Sequence, residues 1–177
     1  MNNFGKLGIK PRDLDYVFLT HLDVDHASGL ELVKEAKHIM TSKEELEAAQ
    51  KGDIRYSDRF WNGVNLEPFE MKVSSYGPFG RSYDVFGDES VLLIDVAGHT
   101  KGTSLVMVQN QGQFVLLTGD TGYAKESWEE LRLPGPVDDK EKMRKTLKWV
   151  QEMSKKEGCV EVLATHDPEV IPHVIEL

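Results

Sequence analysis

The sequence predicts an α/β fold. Short β-rich apolar runs alternate along the chain with amphipathic stretches of helical period. Hydrophobic residues make up 40% of the 177 residues, enough for one real core. No internal repeat, linker or low-complexity segment interrupts the pattern, and the length suits a single domain over 1–177.

Tyr16–Thr20 (YVFLT) reads as a buried strand. Ser28–Ala36 reads as a helix, with Leu30 and Val33 three apart on one face, and His38–Met40 as a short strand. Ser42 is an N-cap, with Glu45 at the capping-box position; the helix it opens runs to about Lys51, where Gly52 stops it. Residues 53–89 carry Trp61, Phe69, Tyr76, Phe79, Tyr83 and Phe86 among glycines and prolines. They read as loops with one or two short strands. Their aromatics suit irregular core packing, with an aromatic wall beside a substrate pocket as the sharper alternative. Val91–Val96, Thr103–Gln109 and Phe114–Thr118 are strands, the last two joined as a hairpin by the turn Asn110–Gln113. A long helix spans about 138–157, capped by Asp138 with Glu141 at the box position. Its stripe of Met143, Leu147, Val150 and Met153 is core packing. Gly158 ends it, and Val160–Ala164 is the last strand.

The net charge of −9 argues against nucleic acid as a partner, because phosphate binding wants a basic face. The single cysteine, Cys159, makes no internal disulfide, which fits a reducing cytosol, so a cytoplasmic location is expected. The opening MNNFGKLGIKPRD has no apolar core of a signal peptide, and runs such as Val91–Ile94 and Phe114–Leu117 are too short to span a bilayer. No membrane partner is expected.

Four strands end in a His or Asp beside small residues. Tyr16–Thr20 is followed by His21-Leu-Asp-Val-Asp-His26, Val91–Val96 by Ala97-Gly98-His99-Thr100, Phe114–Thr118 by Gly119-Asp120-Thr121, and Val160–Ala164 by Thr165-His166-Asp167. Polar groups at several strand ends can converge at one edge of a sheet, where ligand sites commonly sit. Imidazole and carboxylate suit divalent metals of borderline or hard character. In the first cluster, alternation along an extended turn aims His21 and Asp23 to one side while Asp25 and His26 reach another. Two metals sharing such a site lower the pKa of a bridging water and clamp a substrate oxygen. Taken alone, His99 and His166 read as surface or hydrogen-bonded histidines and Asp120 as a turn cap; the order of all four pieces points to metal. His38 and His173 lack such company.

This order, H-x-D-x-D-H, then G-H-T, G-D-T and T-H-D, resembles the metallo-β-lactamase superfamily, whose pattern is H-x-H-x-D-H followed by His, Asp and His from later strand ends. The resemblance covers about residues 9–170. It implies a four-layer αββα sandwich with a dinuclear site. His21, Asp23 and His99 would hold one ion, Asp25, His26 and His166 the other, and Asp120 would bridge them. Zinc is the expected metal. The chain looks most like the N-acyl homoserine lactonases, in which a tyrosine three residues after the bridging aspartate contacts the substrate carbonyl; Tyr123 stands in that place. By that resemblance the function is cleavage of an ester or lactone, a small-molecule substrate, by a metal-bridging hydroxide. The metals and Tyr123 stabilise the oxyanion and Asp25 passes the proton to the leaving oxygen. From the residues alone, Tyr123 reads equally as a ring packed on the long helix.

Two features depart from the family pattern. Asp23 stands where the family usually has His; a carboxylate is a harder ligand than imidazole and admits iron or manganese beside zinc, and a carboxylate there is also similar to the flavodiiron proteins, which use Glu. The family also carries an N-terminal half-sheet before the first motif, whereas here Asn2–Lys10 look like the end of the helix that precedes the first motif strand. An N-terminally truncated sandwich exposes a strand edge and an apolar face, which predicts a homo-oligomer, a strand-swapped dimer or a fragment of a longer protein. The competing functions are thioester hydrolysis of the glyoxalase II type, di-iron redox chemistry, and an inactive metal-binding fragment.

Overall fold

The structure, a computed structural model, describes residues 6–177. The expectation for Asn2–Lys10 therefore falls partly outside the described residues. The chain forms two compact units, the first ending at Glu70 and the second running Met71–Leu177.

The first unit contains β1 (Tyr16–Phe18), α1 (Val24–Ala27), β2 (His38–Ser42), α2 (Lys43–Gln50) and β3 (Leu66–Phe69). Its sheet has the order β1-β2-β3 with both pairings parallel. Parallel neighbours need a crossover, so the segment after β1 must leave the sheet and return, and that segment carries the first His/Asp cluster. Leu19, Leu22, Ala27, Leu30, Ile39 and Ala49 are buried together, with Phe60 and Trp61 packed against them. Each buried leucine contributes about 1.5–3 kcal/mol of transfer free energy.

Ser42 caps α2 as expected, its Oγ accepting the Glu45 N–H at 3.1 Å, and Gly52 ends the helix at φ 78°. The helix expected over Ser28–Ala36 does not form. The α-turn comes earlier, in α1, and Leu30–Leu32 is a 3-10 turn. Gly29 separates the two, and glycine costs about 1 kcal/mol relative to alanine in a helix. The spacing of three between Leu30 and Val33 is the period of a 3-10 turn as much as of a helix.

β3 lies in the stretch that reads poorly, because Pro68 argues against a strand. Proline is tolerated at a sheet edge, which is where β3 stands. The aromatics of 53–89 serve packing where they are enclosed: Trp61 joins the first core, Phe69 is buried, and Tyr76 packs on the second, whereas Phe86 is exposed.

The second unit contains β4 (Lys72–Val73), β5 (Arg81–Asp84), β6 (Val91–Asp95), β7 (Ser104–Asn110), β8 (Gln113–Leu117), α3 (Lys125–Glu129), α4 (Lys140–Ser154) and β9 (Cys159–Leu163). Its sheet runs β4-β5-β6-β7-β8-β9, antiparallel up to β8 and parallel between β8 and β9. The helices α3 and α4 make the crossover that this parallel pair requires. Alternate residues Leu92, Ile94, Leu105, Met107 and Leu116 form one buried cluster with Trp128 and the expected stripe of Met143, Leu147, Val150 and Met153.

The cap of α4 is Asp139, one residue later than expected: its Oδ1 accepts the Glu141 and Lys142 N–H groups, both at 3.0 Å. Asp138 is used otherwise, its amide donating to the carbonyls of Gly98 (3.0 Å) and His99 (3.2 Å). The start of α4 is thereby stitched to the loop after β6.

Candidate metal centre

In the first unit, His21 is fully buried and Thr20 Oγ1 lies 3.0 Å from its Nδ1, which turns Nε2 toward Asp23 Oδ2 at 3.8 Å. Asp23 opens α1 through its backbone: its carbonyl accepts the N–H groups of His26 (3.0 Å) and Ala27 (2.9 Å). This turn carries Asp25 and His26, whose Oδ2 and Nε2 are 3.7 Å apart, and it brings the His26 ring to 4.0 Å from that of His21. The loop is fixed from α2 by Glu45, a buried carboxylate whose Oε1 accepts the Leu22 N–H at 2.9 Å. Its second support is Arg55. Arg55 Nε donates to Asp23 Oδ1 and Nη2 to Oδ2, both at 2.7 Å, a bidentate pair with both side chains nearly buried.

In the second unit, His99, Asp120 and His166 come from three strand ends and meet. Asp120 Oδ2 lies 3.6 Å from His99 Nε2 and Asp120 Oδ1 lies 3.2 Å from His166 Nε2. One carboxylate thus turns a different oxygen to each of two imidazoles. Two donors about 2.1 Å from one tetrahedral ion stand about 3.4 Å apart, so both pairs have the spacing of shared ligands. His99 and Asp120 are buried and His166 is part-exposed.

Local structure explains the convergence. A Cβ on Gly98 would lie 2.7 Å from Met143 N, so only glycine lets the β6 loop pass under α4. Thr100 N–H donates to Thr103 Oγ1 at 2.8 Å and closes that loop. Thr118 N–H (2.8 Å) and Oγ1 (3.1 Å) both donate to the Leu163 carbonyl, tying the Asp120 turn to the end of β9 and hence to His166.

Tyr123 sits beside both histidines, its ring centroid 5.1 Å from His166 and 6.5 Å from His99, each edge-on. Its hydroxyl donates to the Gly135 carbonyl. Asp167 is a support, its Oδ2 accepting the Lys125 N–H at 3.2 Å and its Oδ1 the Glu169 N–H at 2.9 Å.

Each sequence-derived site residue therefore has near neighbours from the set within its own unit. The residues that sequence reasoning missed are Arg55 and Glu45 in its supporting role. Arg55 carries no motif, and the capping-box position of Glu45 gives no hint of its bond to the Leu22 N–H, although a carboxylate on the inward face of a short helix is a signal for a buried acceptor. The donor set of imidazoles and carboxylates fits a divalent ion of zinc, iron or manganese type.

Residues 3–166 match the sequence profile of the Metallo-beta-lactamase superfamily. The chain is 29% identical to the N-acyl homoserine lactonase AttM of Azorhizobium caulinodans, covering 94% of this chain and 63% of that protein. It is 30% identical to an N-acyl homoserine lactonase of Bacillus cereus, covering 93% and 60%. Among solved structures, an N-acyl homoserine lactone hydrolase with N-hexanoyl-L-homoserine bound at its catalytic metal centre superposes with a TM-score of 0.74 at 28% identity, covering 94% of this chain and 61% of that one. A probable metal-dependent hydrolase from Staphylococcus aureus has a TM-score of 0.71 at 18% identity, with 93% and 59% covered, and shows the fold alone. The chain spans about three fifths of the length of these relatives. With its mixed α/β fold and its His/Asp strand ends, this chain belongs to the metallo-β-lactamase superfamily.

Proposed function

We propose that the chain is a metal-dependent hydrolase that opens an ester or lactone bond, with N-acyl homoserine lactones as the substrate class. One observation carries the reading: Asp120 offers its two oxygens to two different imidazoles beside the ring of Tyr123. In the proposal both units serve one catalytic domain and two ions, zinc in the first instance. His21, Asp23 and His99 hold one, Asp25, His26 and His166 the other, and Asp120 is shared. When bound, the ions lower the pKa of water and polarise a carbonyl.

The protein's own groups supply the rest. The Tyr123 hydroxyl exchanges the Gly135 carbonyl for the substrate's carbonyl oxygen and donates to it as negative charge develops there. Asp25, exposed and 3.7 Å from His26, passes a proton taken from the attacking water to the leaving alkoxide. Buried His99 and Asp120 exclude water from the inner side. The lactonase relatives support lactone as the substrate, and the charge of −9 with no strong basic cluster disfavours an acidic thioester or a nucleic acid.

Cytoplasmic residence is part of the proposal, supported by the lone cysteine. Self-association as an oligomer or strand-swapped dimer is another part, supported by the edge position of β1 and the exposure of Tyr16 on it; light scattering reads it directly. Among the described residues no helix is long and apolar enough to cross a membrane.

The deciding experiment is metal content per chain by plasma mass spectrometry, in wild type and Asp120→Ala, followed by lactone and thioester assays. About two ions in wild type, clearly fewer in the variant, and lactone turnover are expected. Wild type that takes up no ion even from added zinc refutes the reading.

A further inference from the structure

Residues 168–177 follow the last strand and form neither helix nor strand. Together with β9, α3 and the end of α4 they line a groove of about 580 Å³, the size of a small-molecule site. Trp128, Cys159, Val162 and Ile171 contribute apolar surface to it. Among the described residues, hydrogen bonds and ion pairs tie this stretch to the rest of the second unit at two points. Asn110 Nδ2 donates to the Leu177 carbonyl at 2.9 Å, and His173 Nε2 meets Glu161 Oε2 of β9 at 2.8 Å. Val170, Ile171 and Val174 are all exposed, so packing holds the stretch weakly and it belongs to the low-stability end of the fold.

The ring of His173 has an acceptor at each nitrogen. Its Nδ1 is 2.7 Å from the Ile171 carbonyl and its Nε2 is 2.8 Å from the Glu161 carboxylate. A carbonyl and an ionised carboxylate can only accept, and a neutral imidazole carries a single N–H, so the two contacts together require the imidazolium. We infer that His173 and Glu161 form a proton-operated latch that holds residues 168–177 over the groove: the protonated ring closes it, and loss of the proton costs one of the two contacts and lets the stretch lift. The other charged groups around the groove are Lys125 and Glu129 of α3, Lys155 at the end of α4, and Asp167 and Glu169. Lys125 pairs with Glu129 at 3.4 Å, and Asp167 accepts the main-chain N–H groups of Lys125 and Glu169. Among the described residues, Glu161 is the charged group that meets the ring. The pKa of His173 is raised, first by the Ile171 carbonyl and then by Glu161. The latch is therefore complete below the ordinary histidine value of about 6.5 and opens as pH rises through the higher folded value. No metal ligand takes part, so the latch stands or falls apart from the function proposed above.

Cys159 lines the groove and is the chain's single cysteine, so its rate of reaction with a neutral methanethiosulfonate reports access beneath the stretch. The test compares wild type with His173→Gln between about pH 5.5 and about pH 8.5, with folding checked by circular dichroism. The ratio of the two rates at each pH cancels the ionisation of the thiol itself. Removing a cation from the groove would by itself slow the reaction, so acceleration reports opening. A part-exposed contact of this kind shifts an equilibrium by a few-fold, so His173→Gln should react about 2- to 5-fold faster than wild type at the acid end. The ratio should fall toward one at the alkaline end, with its midpoint at the pKa of His173 read by proton NMR. Glu161→Gln should show the same fall with pH. Equal rates at the acid end overturn the inference. A ratio above one that does not fall with pH means that the ring acts by packing alone, and overturns it too. Should His173→Gln fail to fold, a pH-independent ratio in Glu161→Gln overturns it equally.

Discussion

Gly98→Ala tests whether the β6 loop and α4 are as tightly joined as their backbones imply. The new Cβ would lie 2.7 Å from Met143 N, 2.9 Å from its Cα and 3.2 Å from its Cβ. Ordinary contact is about 3.4 Å or more, so α4 must retreat by roughly half an ångström. The neighbour is backbone rather than the tip of a flexible side chain, and it is tied down: Met143 N–H donates to the Asp139 carbonyl, and the Asp138 and Asp139 amides donate to the Gly98 carbonyl, each at 3.0 Å. Overpacking of this kind costs about 1–3 kcal/mol. The backbone angle of 152° at Gly98 adds about 1 kcal/mol or more for any L side chain. The sum, about 2–4 kcal/mol, corresponds to a fall in melting temperature of roughly 5–15 °C for a chain of this size. Thermal unfolding by circular dichroism reads it, with Gly29→Ala as the control. Nothing lies within 4 Å of a Cβ built on Gly29, and its backbone is right-handed helical, so alanine there should be neutral or stabilise by about 0.4–1 kcal/mol. A Gly98→Ala protein melting within about 2 °C of wild type would refute the close approach and, with it, the account of how His99 is held.

Tyr123→Phe keeps the ring beside His99 and His166 and removes the donor. Lactone kcat should fall about 100-fold with little change in KM or in metal content, and an unchanged kcat would return Tyr123 to a packing role. His173 has its pKa raised, first by its hydrogen bond to the Ile171 carbonyl and then by Glu161, 2.8 Å from its Nε2. The raised value means that this contact of the C-terminal segment is fully formed below the ordinary histidine pKa of about 6.5 and is lost as pH rises through the folded value. Proton NMR titration should place His173 above the unfolded reference and lower it only part of the way in Glu161→Gln, because the bond to the Ile171 carbonyl remains; a His173 pKa at or below the reference contradicts the contact.

The strand ends were legible because each joins a β-rich run to a His or Asp beside small residues, a pattern that survives small errors in strand length. The stripe of α4 was legible for the same kind of reason, being long enough for its period to declare itself. What stayed hidden is what depends on contacts distant in sequence. Arg55 is an unremarked arginine in a loop until Tyr56 pairs with Asp23, 33 positions before it. α3 is five residues long, too short for any periodicity. Asp138 and Asp139 are equivalent caps by composition, and only the Gly98 and His99 carbonyls decide between them. The Ser28–Ala36 helix failed because a spacing of three fits two kinds of turn.

The stitching of Thr118 to Leu163 has a consequence for biosynthesis. Asp120 leaves the ribosome just after the hairpin of β7 and β8, but the carbonyl that pins its turn through Thr118 arrives with β9, 45 residues after Thr118. His166 follows three positions after that. During translation the nascent chain therefore displays His99 and Asp120 long before His166, the last of the proposed ligands, exists. On the proposed ligand set, an ion captured early would meet an incomplete set of donors, and native loading would belong to the final moments of synthesis or to the released polypeptide.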